Sequence, residues 1–136
     1  MKKTSVVVIG WIERPDDPDL QKIILSQENG SLLLPRVECG SQETIKEAAY
    51  RCLKSQGYNC KTLFALPCLV DEKGDTWNFF IGRKAQKIRG LIPESKPTLI
   101  IRADARKLVP EGKMGDLVSL SGIAMASYKM GFNSHM

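Results

Sequence analysis

The stretch LPRVECGSQETIKEAAYRCLKSQGY, residues 34–58, decides the fold. From Glu43 to Gln56 its apolar residues, Ile45, Ala48, Ala49, Cys52 and Leu53, recur at the spacing of one helical face. Gly57 follows as a C-cap, and Ser41 or Gln42 stands near the N-cap. Cys52 belongs to the apolar stripe, which marks its thiol for packing rather than for reactivity. Glu43 and Glu47 stand at i and i+4, and Glu38 is close in sequence. Together the three carboxylates have two readings: a metal site on one helix face, or a structural set in which Glu47 pairs with Arg51 at i+4 and Glu43 favours the first turn. The structural reading asks less of the residues.

Working outward, Ser5–Glu13 (SVVVIGWIE) is rich in β-branched residues and reads as a buried strand, which Arg14–Asp19 (RPDDPD) ends with two prolines. Lys22–Ser26 and Ser31–Leu34 are apolar runs joined across Asn29-Gly30, a strong hairpin signal, and lead into a Pro-Arg loop. Thr62–Val70 and Thr76–Lys84 form a second hairpin around Asp71–Asp75, carrying Trp77, Phe79 and Phe80. A strand at Thr98–Ala103, after Lys96-Pro97, and a helix over Gly115–Lys129 complete the chain. Gly131–Met136, which holds the one histidine, His135, reads as a frayed tail. There is no internal repeat or interdomain linker, so residues 1–136 form a single α/β or α+β domain.

Composition narrows the function classes. With 43% hydrophobic and 26% charged residues the chain is that of a soluble globular protein, and no apolar run is long enough to cross a bilayer. MKKTSVVVIGW begins like a signal peptide, but its apolar stretch runs into charged residues without a cleavage site, so it reads as the first strand. Cys39, Cys52, Cys60 and Cys68 lack metal-ligand spacing, and four thiols without an export signal point to a reducing cytoplasm. The net charge of +5 is compatible with an anionic partner, a nucleotide or RNA. Arg83, Lys84, Lys87 and Arg89 form a local basic cluster, read as a solvated strand end or as phosphate contacts. No Gly-rich phosphate loop or RNA-binding strand motif accompanies it.

Residues 34–58 also resemble a known sequence signature. Pro35, Val37, Glu38, Gly40, Glu43, Ala48, Ala49, Arg51, Leu53 and Gly57 fall on the box of the Nudix hydrolase superfamily, G-x5-E-x7-R-E-U-x-E-E-x-G-U. The departures fall where that family holds its metal. Cys52 stands for the glutamate after the arginine, Ser55 and Gln56 for the acidic pair, and the segment before Gly57 is one residue short. Arg36 replaces the glycines after the proline, and Ser41 and Gln42 are extra. The order of elements along the whole chain is similar to the Nudix α/β/α sandwich, with a mixed β-sheet, one box helix and a C-terminal helix.

The resemblance implies a ligand cleft between the box helix and the sheet, holding a nucleoside diphosphate derivative with Mg²⁺ or Mn²⁺ in an active hydrolase. A thiol, a hydroxyl and an amide do not replace three carboxylates around a hard cation. The expectation is therefore a Nudix-like domain that binds a nucleotide derivative with weak or no hydrolysis. Two alternatives accompany it. One is a divergent hydrolase that rebuilds its metal site from Glu38, Glu43, Glu47 or the loop carboxylates Asp71, Glu72 and Asp75. The other is an RNA-binding or protein-interaction module, including a homodimer. Arg36 and Arg51 are candidate ligand contacts, with Arg36 read either as closing the site or as supplying a cation. Trp11 and Trp77 are candidate base-stacking residues, each weighed against simple packing.

Overall fold

A computed structural model describes residues 2–14, 16–17, 20–28, 30–91, 97–101 and 116–130. Along the chain lie β1 (Thr4–Ile12), β2 (Lys22–Glu28), β3 (Ser31–Leu33), β4 (Arg36–Glu38), α1 (Ile45–Ser55), β5 (Tyr58–Asn59), β6 (Thr62–Ala65), β7 (Leu69–Val70), β8 (Thr76–Arg83), β9 (Gln86–Lys87), β10 (Thr98–Ile101) and α2 (Leu117–Met130). The expected tail at Gly131–Met136, together with Asn29, Lys96, Ala103 and Gly115, lies outside the described residues.

The mixed sheet is built on β1. Its path runs β10-β2-β1-β8-β6, with β3, β4 and β7 pairing β2, β1 and β8 respectively. β1 and β8 are parallel over seven residue pairs, from Thr4↔Thr76 to Gly10↔Gly82. On its other side β1 changes partner, pairing β4 at Ser5–Val7 and β2 at Trp11 and Ile12. Flanked on both sides and covered on both faces, β1 is buried from Ser5 to Trp11. This explains its unbroken apolar run, in contrast to the alternation of a strand with one wet face.

Alternate β1 side chains feed two cores. Val7, Ile9 and Trp11 join Leu25, Leu34, Phe79 and Ile123 on the side of α2. Val6 and Val8 join Ile24, Ala48, Ala49, Cys52 and Leu53 on the side of α1. The result is an α/β/α sandwich, and each fully buried Val, Ile or Leu contributes about 1.5–3 kcal/mol of burial free energy.

Helix α1 begins at Ile45, two residues after the expected start at Glu43. Thr44 is the N-cap, in a reciprocal capping box with Glu47: each side chain accepts a hydrogen bond from the other residue's backbone N–H. Ser41 and Gln42 lie upstream of the cap, because only Thr44 has a glutamate three residues on. Ile45, expected on the apolar stripe, is 38% exposed, whereas Ala48, Ala49, Cys52 and Leu53 are fully buried. At the other end Gln56 caps the helix and Gly57 takes the left-handed φ of +83°.

Further differences from the sequence expectation have local causes. The first arm of the second hairpin splits into β6 and β7 around Pro67, which has no N–H to donate, although Leu66 N–H still bonds the Phe79 carbonyl. Arg36–Glu38 was expected as loop and pairs with β1. The β5–β9 ribbon was not expected. Both short pieces are too brief to carry a period. The β2–β3 hairpin closes as expected, with Glu28 opposite Ser31 and Gly30 at φ +81°.

Gly10 and Gly82 face each other across β1 and β8, and Leu53 of α1 covers both. A Cβ on Gly10 would lie 2.8 Å from Ile24 Cδ1 and 2.9 Å from Leu53 Cδ2; one on Gly82 would lie 2.9 Å from Leu53 Cδ1. Gly10→Ala should therefore destabilise the fold by about 1–3 kcal/mol in urea unfolding. In a Leu53→Ala background that penalty should shrink, as a double-mutant cycle would show. An equal penalty in both backgrounds would mean that Leu53 is not the obstructing group.

Candidate functional site

The loop that enters the box is tied down by Arg36. Its guanidinium makes a two-pronged pair with Asp116, donates 2.8 Å to Ser119 Oγ and 3.3 Å to the Leu34 carbonyl, and lies 5.6 Å over the Trp77 ring. Asp116 caps α2 through a 2.9 Å bond from Ser119 N–H, and the buried Ser119 hydroxyl accepts from Leu34 N–H at 3.0 Å. Arg36 and the Ser119 backbone N–H hold the Asp116 carboxyl below its usual range, against the opposing effect of burial. In this arrangement the Arg36 guanidinium is engaged in fastening the box loop to α2.

The three candidate carboxylates do not converge. Glu43 precedes the helix, and both of its oxygens accept from Arg51, at 2.8 and 2.9 Å, while Oε1 also takes Gly40 N–H at 3.0 Å. These bonds, led by Arg51, lower its pKa to about 2. Arg51 also donates 2.7 Å to the Glu38 carbonyl. The expected Glu47–Arg51 pair is thus replaced by Glu43–Arg51, since Glu47 is held in the capping box. The loop alternatives are likewise engaged. Asp71 accepts from Lys73 N–H, Asp75 N–H and the Trp77 indole, and Asp75 accepts from Lys3 N–H. Among the described residues no three His, Cys, Asp or Glu side chains are grouped to hold a metal.

Cys52 is fully buried against the sheet, and desolvation pushes its thiol up to about 12. It is a packing group, as its place on the stripe suggested, and the reactive-thiol alternative falls away. Ser55 Oγ donates 2.7 Å to the Cys52 carbonyl, and Gln56 is 6% exposed. Trp11 is also fully buried, with its indole N–H on Gln21, so the structure places this candidate stacking residue in the core. Trp77 is half-buried, and Arg36 lies over its ring.

The space between α1 and the sheet is packed core. Among the described residues an opening lies instead along the Tyr50, Arg51 and Lys54 side of α1, a cavity of about 770 Å³ also lined by Asn59, Cys60 and Ile88. That volume lies within the range of small-molecule sites. Lys54 is exposed at its rim and Tyr50 is half-buried. Sequence reading missed Lys54, Asn59 and Ile88, which meet only once the chain turns from α1 into β5 and β9.

Two solved structures share this architecture. A crystal structure of an ADP compounds hydrolase superposes with a TM-score of 0.77 at 17% identity, over 100% of this chain and 77% of that one. The NUDIX domain of Shewanella oneidensis NrtR, in a cocrystal with ADP ribose, gives 0.69 at 14% identity, over 96% and 89%. This chain has the Nudix fold. No family model matches its sequence, and no curated protein matches it.

Within the Nudix fold, the resemblance assigns metal binding to the positions of Cys52, Ser55 and Gln56. A Mg²⁺ or Mn²⁺ ion takes an oxygen-rich shell of about six ligands. Here it would meet a buried neutral thiol, a hydroxyl bonded to the helix backbone and a buried amide. Those three residues do not fit a divalent metal centre.

Two consequences are measurable. Because the Glu43 pKa is lower in the folded chain than its ordinary 4.5, its stabilising effect is complete above 4.5 and lost as pH falls toward about 2. Melting temperatures of the wild type and Glu43→Gln should differ above pH 4.5 and converge near pH 2; a constant difference would exclude this linkage. Asp116→Ala, which removes a cap and the Arg36 pair together, should cost about 1–2 kcal/mol in denaturant unfolding.

Proposed function

We propose that this protein binds a nucleoside diphosphate derivative of the ADP-ribose type in the cavity beside α1 and hydrolyses it weakly or not at all. The observation that carries the reading is the fate of the box carboxylate positions. Cys52 is sealed in the core, Ser55 is bonded to the helix backbone, and two of the three candidate glutamates, Glu43 and Glu47, are occupied by Arg51 and the α1 cap. The packing of the box helix is intact, while Cys52, Ser55 and Gln56 offer a divalent metal no carboxylate.

The binding half of the proposal draws on two supports. One neighbouring Nudix domain was solved with ADP ribose, and the other neighbour is an ADP compounds hydrolase. The cavity itself presents the Lys54 ammonium and the edge of Arg51 to a diphosphate, with Tyr50 and Ile88 as apolar walls. Arg51 is held in place by Glu43, so its position costs the ligand no ordering entropy.

The test is calorimetric titration with ADP-ribose, ADP, ATP and a dinucleoside polyphosphate in EDTA, alongside hydrolysis assays in Mg²⁺ and Mn²⁺. Saturable binding in EDTA with no metal-dependent turnover is expected, as is a roughly tenfold loss of affinity in Lys54→Glu. Turnover abolished by chelator would establish the divergent-hydrolase alternative instead. Absence of both binding and turnover would remove the nucleotide reading.

A further inference from the structure

The cavity beside α1 adjoins two others through shared lining residues, and the three together make up a lysine-lined surface groove. Asn59 and Cys60 form a wall shared with a second cavity of about 350 Å³, which also touches Lys61, Lys84 and Gln86. Lys84 and Gln86 in turn form a wall shared with a third, of about 550 Å³, which reaches Lys87, Tyr58 and Glu13. Lys54, Lys61, Lys84 and Lys87 thus stand along three adjoining cavities, and all four are exposed. Among the described residues none of them forms an ion pair. The one acid in the lining, Glu13, accepts from Arg83 at 2.6 Å and is taken.

Lys84 adds an observation independent of charge. It adopts φ +53°, the sole non-glycine residue with positive φ among those described. Its neighbours are pinned: Ala85 N–H bonds the Trp11 carbonyl at 2.8 Å, and the Arg83 carbonyl accepts from Lys61 N–H at 3.1 Å. Glycine or asparagine suits such a turn better than lysine. A lysine there is strained backbone carrying a cation into the middle of the groove, the kind of outlier that marks functional positions.

We propose that this groove is the track of a single-stranded nucleic acid. One nucleoside diphosphate would occupy only the cavity beside α1, leaving Lys61, Lys84 and Lys87 without an anion. A strand supplies a phosphate at every step, and each cavity is large enough for a nucleotide-sized group. Tyr50, half-buried at one end, offers a ring on which a base can stack, and bases splayed from a single strand are free to do so. The inference shares its first cavity with the nucleotide reading, but Lys61, Lys84 and Lys87 lie outside that cavity.

The experiment is fluorescence anisotropy with a labelled single-stranded RNA of about 12 nucleotides and its duplex, across a salt series. With about four phosphates neutralised, log K against log salt should fall with a slope near −3 for the single strand. Lys61→Gln/Lys84→Gln/Lys87→Gln should weaken binding at least tenfold and flatten the slope to about −1. Lys2→Gln/Lys73→Gln/Lys129→Gln carries the same change in net charge away from the groove and should stay within about twofold of the wild type. The double variant Lys61→Gln/Lys87→Gln leaves the strained position untouched and should still lose several-fold if the triple variant unfolds. Equal weakening by both triple variants, preference for the duplex, or no binding at low salt would overturn the proposal. ADP-ribose titrated on the same samples separates the two readings. RNA binding without ADP-ribose binding would leave this proposal standing and remove the other, and ADP-ribose affinity unchanged by the groove variant would confine its effect to the strand.

Discussion

The close approach of α1 to the central parallel pair is the constraint on which the remainder depends. Two glycines, Gly10 and Gly82, meet across β1 and β8, and the Leu53 side chain fills the depression they leave. With any side chain at either position, Leu53 would have to withdraw and Ala48, Ala49 and Cys52 would lift from the sheet with it. The same contact sets where α1 ends. It therefore sets where Gly57 turns the chain into β5 and where the cavity beside Lys54 opens.

Charge in this protein divides between fasteners and free cations. Arg36, Arg51 and Arg83 are each held by a carboxylate: Asp116, Glu43 and Glu13. Their planar guanidinium groups suit such multi-dentate work, and those of Arg36 and Arg83 link segments distant in sequence. The lysines of the groove are different. They are exposed, flexible and unmatched among the described residues, a state that raises the local potential instead of stitching the fold. The surplus of 20 basic over 15 acidic residues is thus uneven in its effect, because the paired arginines contribute little to it.

Much of the architecture was legible in the sequence wherever an element is long enough to carry a period. The β1 run, the β2–β3 hairpin and the stripe of α1 are examples. Short pieces were not: β4, β5 and β9 span two or three residues, and their pairing is decided by tertiary position. The site was less legible for a related reason. Glu43 and Arg51 are eight residues apart, beyond the reach of an i, i+4 pair, and meet only because Glu43 stands before the helix and folds back over it. Asp116, which governs Arg36, comes from the far end of the chain. Trp11 shows the limit of reading residue type alone, since an indole that can hold a base is here part of the core. The basic groove draws Lys54 and Lys61 together with Lys84 and Lys87, and only the latter two were neighbours in sequence.

The substitution of packing for chemistry on α1 has an energetic logic of its own. A carboxylate at the position of Cys52 would sit against Val6, Val8 and Leu53, where an unpaired charge is strongly disfavoured without a metal to neutralise it. Without a metal, such a position is best filled by a small, soft, apolar group, and a cysteine is one. The Cys52 thiol and the tight closure of α1 on the sheet are therefore mutually consistent. The exposed lysines lie elsewhere, along the side of α1 and around the β5–β9 ribbon, where an ammonium requires no metal to meet a phosphate.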